Sequence, residues 1–184
     1  MEETMNDNYK LKFSEKINSY FQDDEWELAR AALEKELKKY PDEYWLKTML
    51  SSVYYELRDY QKALLLSEQA LQDNPQDYLV LDNYAVVLSV IPGREKDAID
   101  QLQRIIREDI NNIAYGEYSE GMRWAKSIVN DSRARLALVN ASINERGKAL
   151  DLLREHLANR QRGIFSNFSK REIIKKIRKI EESL

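Results

Sequence analysis

The sequence predicts an all-α fold, a solenoid of stacked helix pairs. Pro41 and Pro75 lie 34 residues apart, and the same step separates Tyr20, Tyr54 and Leu88, Trp26 and Tyr60, Ala29 and Ala63, and Leu37 and Leu71. Such a period marks a two-helix unit too thin to bury its apolar face alone, so copies must stack. Five Gly and three Pro among 184 residues leave little material for loops, and β-branched runs are scarce. With 43% hydrophobic and 33% charged residues, the chain can fill a continuous core and cover it with charge.

Residues 1–10, acidic and polar, are expected to be disordered ahead of a single helical domain over 11–184. The first repeat, 11–41, reads as helices over 11–22 and 24–39. Phe13, Ile17 and Tyr20 share a face of the first helix, and Leu28, Ala29, Ala32, Leu33 and Leu37 form the buried stripe of the second. Tyr40-Pro41 ends it. The second repeat, 42–75, pairs a helix over 43–57 with one over 60–73, joined by Arg58-Asp59-Tyr60. The inner residues are Leu50, Ser51 and Tyr54 facing Ala63, Leu64, Ala70 and Leu71. The third, 76–110, carries Leu81, Tyr84, Ala85 and Leu88, turns at Ile91-Pro92-Gly93, and continues with Ala98, Ile99, Leu102, Ile105 and Ile106.

The period then breaks. Ala63 to Ala98 is 35 residues, and Ala98 to Ala149 is 51. Asn111 to Tyr118 reads as a polar loop and Ser119 as a helix cap. A helix of about 24 residues follows to Ile143, twice an ordinary repeat helix. With a partner over 148–159 it makes an irregular fourth repeat, 119–159. Ser169-Lys170-Arg171-Glu172 is a capping box that starts a terminal helix over 169–183, with Ile173, Ile174, Ile177 and Ile180 facing inward.

No cysteine is present, which excludes disulfides, thiolate metal sites and thiol catalysis. No apolar run approaches the ~20 residues that span a bilayer, and the start lacks the pattern of a secretory signal. The expectation is a cytoplasmic protein without a membrane segment. Residues 1–122 carry 14 basic and 25 acidic side chains, a balance of −11; residues 123–184 carry 15 and 7, a balance of +8. This division either steers a charged partner to one end or reflects two differently charged faces.

The stretch Leu50-Ser51-Ser52-Val53-Tyr54-Tyr55, then Arg58-Asp59-Tyr60-Gln61-Lys62-Ala63, then Ala70-Leu71 and Asn74-Pro75 resembles a tetratricopeptide repeat. The resemblance covers residues 10–110 well and 130–158 weakly, through Leu136, Ala137 and Ala149. It departs at Lys47, where the family often has tryptophan, at Ile110, where proline is usual, and in the insertion before the fourth repeat. It implies a right-handed α-α superhelix whose first helices line a concave groove that holds a peptide or protein. Asn18, Phe21, Trp45, Thr48, Ser52, Tyr55, Leu79, Asp82, Asn83, Val86 and Ser89 would then face the groove, with Trp45 and Tyr55 as the best anchor candidates, unless either packs against a neighbouring helix. The family's lysine, asparagine and arginine clamp for a chaperone's terminal carboxylate maps onto Ser14, Asn18, Met49, Leu79 and Asn83. Only Asn18 is of the required type, which argues against a chaperone-tail receptor.

The insertion 115–131 is a second candidate contact, with Arg123, Trp124 and Lys126 as its face; equally, Trp124 covers the end of the third repeat. The cations of the terminal helix (Lys170, Arg171, Lys175, Lys176, Arg178 and Lys179) form a solvated cap, or else attract an acidic protein, with nucleic acid a last choice. His156 is the one histidine and reads as a packed or half-exposed helix residue, since one histidine makes no zinc site. No catalytic, cofactor-binding or metal-binding residue is expected. The expected function is a non-enzymatic protein-binding module. The alternatives are an immunity- or chaperone-type regulator that masks one cognate protein through the basic half, and, behind it, RNA binding. Self-association is compatible with the Tyr and Trp content.

Overall fold

A computed structural model describes residues 5–116 and 121–183. The described residues form α-helices and connections, with no strand. In order the helices are α1 (Asp7–Gln22), α2 (Trp26–Leu37), α3 (Tyr44–Glu56), α4 (Tyr60–Asp73), α5 (Tyr78–Leu88), α6 (Glu95–Arg107), α7 (Ile110–Tyr115), α8 (Met122–Ser142), α9 (Arg146–Ala158) and α10 (Lys170–Glu181). The chain divides into two compact units, Met1–Val87 and Leu88–Leu184.

One turn recurs inside the helix pairs. Asp24, Arg58 and Asn144 adopt positive φ (55°, 61° and 66°). Just after each, a backbone N–H returns to the carbonyl five residues back: Glu25 to Tyr20, Asp59 to Tyr54 and Glu145 to Asn140, each at 2.8 Å. This is a Schellman closure, which satisfies carbonyls orphaned at the end of the first helix. In the third pair Gly93, at φ 83°, takes the left-handed position. The second helix begins two residues later in every case, at Trp26, Tyr60, Glu95 and Arg146. The turn therefore recurs at steps of 34, 35 and 51 residues, matching the alanine spacing.

The alanines explain why the step is kept. Ala29, Ala63, Ala98 and Ala149 are all fully buried, where a side chain no larger than methyl lets two helices approach closely. In the second pair Ser51 Oγ donates to the Ala63 carbonyl at 2.9 Å, from a site with no solvent exposure. Tyr54 reaches from α3 to α2, where its hydroxyl donates to Glu34. Burial, then that hydrogen bond, pushes its pKa up to about 12.

In the first unit α1 packs on α2, α2 on α3 and α3 on α4, around Ile17, Leu33, Leu46, Leu50 and Val53. In the second, α8 is the central element and packs on α6, α7 and α9. Ala134, Ala137, Ala149, Leu153 and Ile173 form a buried cluster, with Ile177, Ile180 and Phe168 packed around it. The predicted capping box is present: Glu172 N–H donates to Ser169 Oγ at 3.1 Å, and Ser169 N–H to Glu172 Oε2 at 2.9 Å.

Several expectations are corrected. Residues 7–10 are helical rather than disordered, because Asn6 accepts from Asn8 N–H at 3.0 Å and caps α1, and Tyr9 and Lys10 are tied to Glu36 and Glu43. Leu28 is 51% exposed, not buried; the inner stripe of α2 runs through Ala29, Leu33 and Glu36, and Leu28 sits one residue, about 100°, off it. The segment read as a loop from Asn111 contains α7. Asp109 caps it, accepting from Asn111 N–H at 2.8 Å, and Ile113 and Ala114 bury its inner side. The helix expected from Glu120 is described from Met122, and the predicted cap Ser119 lies outside the described residues.

Candidate partner-binding surfaces

Side-chain contacts join the first helices of the repeats in unit one. Phe13 of α1 meets Trp45 of α3 edge-on, ring centroids 6.4 Å apart. Asn83 Nδ2 of α5 donates to Ser52 Oγ of α3 at 2.8 Å. α1 and α5 thus each make a side-chain contact with α3.

On α3, Trp45, Thr48, Ser52 and Tyr55 fall within one arc of about 80°, and Trp45 and Tyr55 lie about 15 Å apart along the axis. Trp45 is half-buried and lies under Lys10 Nζ, 5.6 Å from the ring centroid; that ammonium also pairs with Glu43 at 2.9 Å. Tyr55 is half-buried and rests against Tyr60, centroids 5.8 Å apart. Both aromatics therefore pack on a neighbour and keep part of their surface open. Asn18 is exposed, and Ser52 and Asp82 are half-buried.

Two expected contact residues face inward instead. Thr48 is fully buried, and its Oγ1 donates to the Tyr44 carbonyl at 2.9 Å. Asn83 is buried and spends its Nδ2 on Ser52, whose hydroxyl donates to the Thr48 carbonyl at 3.2 Å. Asn83 thus ties α5 to α3 through Ser52, while the bonds of Thr48 stay within α3. Val86, expected on the same face, is also buried.

Beside this face lie two buried carboxylates. Asp77 accepts from Leu79 N–H at 2.8 Å and starts α5. Burial pushes its pKa up, against the lowering effect of its hydrogen bonds with Leu79 and Tyr44. The Tyr44 hydroxyl is raised in turn, by burial first and then by the Asp77 charge. Glu36 accepts from Tyr9 at 2.8 Å and Lys39 at 2.6 Å. Burial pushes Glu36 up, but the bonds from Lys39 and Tyr9 outweigh it and hold the carboxyl below its ordinary value. Neither residue stood out in the sequence, although Glu36 sits on the Ala29–Leu33 stripe.

In unit two, Arg123 is exposed and Trp124 half-buried near the start of α8. Lys126 is engaged: its Nζ donates to Gln161 Oε1 at 3.2 Å. It belongs to a set of ties that hold residues 160–168 against α8. Ser127 Oγ donates to the Phe165 carbonyl at 2.9 Å, and buried Asp131 accepts from Ser166 Oγ at 2.6 Å and Asn167 N–H at 2.7 Å. Arg160 donates to the Phe168 carbonyl at 2.6 Å. Phe165 itself is 72% exposed, and Tyr115, at the end of α7, 70%. Phe165 was not among the expected contacts, and Tyr115, though in the 115–131 insertion, was not on the face expected of it.

His156 is fully buried. Its Nδ1 lies 2.8 Å from the Asn130 carbonyl, which only accepts, so Nδ1 carries the proton. Asn130 Nδ2 returns a bond to the His156 carbonyl at 3.2 Å, and the Phe168 ring meets the imidazole edge-on. The ring is a structural tie between α8 and α9. Among the described residues no group of three His, Asp or Glu side chains could hold a metal ion, and no helix is long and apolar enough to cross a membrane.

Compared with known proteins, the sequence matches no family model and no curated protein. Solved structures do match. One is PilW, a widely conserved type IV pilus biogenesis factor, at 18% identity and a TM-score of 0.64 over 84% of this chain. The chain spans 63% of that PilW chain. Another is MamA MSR-1 C2, at 18% identity and a TM-score of 0.53, covering 76% of this chain and 70% of that one. Both are helical repeat proteins of the tetratricopeptide type, and the likeness shows that this chain has a tetratricopeptide-like, all-helical solenoid fold.

Proposed function

We propose that the protein is a non-catalytic interaction module that holds a peptide or protein partner on a face shared by α1, α3 and α5. The start of α8 supplies a second contact surface. The observation that carries this reading is the pair Trp45 and Tyr55. Two aromatics stand partly open about 15 Å apart on a helix whose backing residues, Thr48 and Asn83, are buried and hydrogen-bonded. Aromatic side chains on a rigid support lose little entropy on binding and supply most hot spots. Asn18, Ser52 and Asp82 offer polar groups beside them, and a peptide of about five extended residues spans the distance. On the second surface Arg123 and Trp124 are the contacts, and Lys126, which donates to Gln161, lies beside them in sequence.

The test is capture of the native partner by wild-type protein and by Trp45→Ala, Tyr55→Ala and Trp45→Ala/Arg123→Ala variants, with bound proteins identified by mass spectrometry. Each single truncation should weaken retention, and the double variant should abolish it, with unchanged helical circular dichroism. Full retention by the double variant would place the binding surface elsewhere.

A further inference from the structure

α10 gathers six cations within twelve residues. Lys10, Arg30, Lys39, Lys47, Lys62 and Arg94 all reach a carboxylate, as do Arg133, Lys148 and Arg154. The six cations of α10, Lys170, Arg171, Lys175, Lys176, Arg178 and Lys179, have no ion pair among the described residues. The two carboxylates of α10 are spent elsewhere. Glu172 closes the capping box, and Glu181 pairs with Arg154 of α9 at 2.8 Å. Like charges three and four residues apart on a helix repel, and α10 holds several such pairs: Arg171 and Lys175, Lys175 and Lys179, Lys176 and Lys179.

These cations flank space. A cleft of ≈ 400 Å³ lies between α8 and α10. Its walls carry Arg146, Lys176 and Lys179, and Leu138, Ala141 and Ile180 supply apolar surface, with no carboxylate side chain among the described lining residues. Arg146 spends one guanidinium N–H on the Ser183 carbonyl, which anchors that cation at the rim. On the outer side of α10 a second hollow has the same make-up, Ile174 among Lys170, Arg171, Lys175 and Arg178.

We propose that the α8–α10 cleft docks an acidic protein segment bearing aliphatic side chains. Its carboxylates meet Arg146, Lys176 and Lys179, and an aliphatic side chain enters over Leu138, Ala141 and Ile180. Charge complementarity selects the anion, because three cations without a carboxylate gain most from one. The apolar lining selects a peptide over a nucleic acid, since neither hollow offers an aromatic platform for a base. A membrane surface is disfavoured as well: Ile173, Ile177 and Ile180 are packed against the α8–α9 core rather than free to insert. The site lies wholly in unit two, so its failure leaves the reading of the α1–α3–α5 face untouched.

The experiment is fluorescence anisotropy with a labelled peptide of repeated Glu-Glu-Leu, beside labelled polyglutamate, poly(U) RNA and sedimentation with phosphatidylserine vesicles. The full chain should bind the Glu-Glu-Leu peptide most tightly, and affinity should fall as salt rises from about 50 to 300 mM. Lys176→Glu/Lys179→Glu should lose at least about tenfold, while circular dichroism and melting temperature hold. Leu138→Gln should weaken the Glu-Glu-Leu peptide and leave polyglutamate unchanged. Absence of peptide binding, equal binding by the charge-reversed variant, or tighter binding of poly(U) or vesicles would overturn the proposal.

Discussion

Replacing Ala63 probes the packing on which the repeat rests. Ala63 is fully buried where α4 meets α3, and its carbonyl accepts from Ser51 Oγ at 2.9 Å, so the two helices cannot part without breaking that bond. Leucine adds three carbons where there is no space, and overpacking of this kind costs about 1–3 kcal/mol. For a chain of this size each kcal/mol moves the melting temperature by about 2–4 °C, so Ala63→Leu should melt about 2–12 °C lower. Ala63→Arg also buries a cation with no carboxylate arranged to meet it, a cost of several kcal/mol. That is comparable with the whole stability of a domain, about 5–15 kcal/mol, and this variant should lack a cooperative transition in unit one. Thermal melts by circular dichroism and tryptophan fluorescence, with exposed Gln69→Arg on the same helix as control, read the difference. The control should stay within about 0.5 kcal/mol. If Ala63→Arg melts with the control, the small-residue contact does not hold the pair together.

Two buried carboxylates should respond to pH with opposite sign. Glu36 is held below its ordinary value of 4.5, so the stability it contributes is complete above that value and is lost as pH falls through the native one; Glu36→Gln should flatten this acid limb of the stability–pH curve. Asp77 is held above its ordinary 3.8, so stability falls as pH rises from 3.8 through its native value. Asp77→Asn keeps an acceptor for Leu79 N–H, and at neutral pH its melting temperature should match or exceed wild type; a loss above about 1 kcal/mol would show that the charge itself is needed. Asp131→Ala strips partners from Ser166 and Asn167, should cost about 1–3 kcal/mol, and should speed trypsin cleavage after exposed Arg162; an unchanged rate would show that Asp131 does not hold the loop. Arg58, at φ 61°, pays for a left-handed backbone that glycine adopts freely, so Arg58→Gly should raise the melting temperature, and a lower one would mean that the side chain matters more than the turn.

The helix pairs were legible because their physics is local and repeated. An alanine stands where the helices touch, five residues after each left-handed turn residue, and this marks every pair although the step between pairs changes from 34 to 51 residues. α7 was not legible: at six residues it makes too few internal bonds to show a period. Its signals were a single cap, Asp109, and one apolar pair, Ile113-Ala114, just after Asn111-Asn112. Leu28 misled for the opposite reason. It is apolar and sits beside the stripe, yet the stripe belongs to Ala29, Leu33 and Glu36, at the first, fifth and eighth positions of one face.

The candidate face was harder to read than the fold, because periodicity reports what a helix buries and not what it offers. Thr48 and Trp45 share a side of α3, but Thr48 is buried and bonded to the Tyr44 carbonyl while Trp45 stays partly open. The break in the period has a similar cause. Asn130, Asp131 and Ser132 are consecutive and all buried, and three consecutive residues sweep about 200° of a helix surface. No single flanking helix covers that arc. α6, α7 and α9 all pack on α8, Asn130 bonds to His156 of α9, and Ser166 and Asn167 meet Asp131. The chain before and after the α8–α9 pair thus supplies partners that a two-helix repeat lacks, α7 on one side and Ser166 and Asn167 on the other.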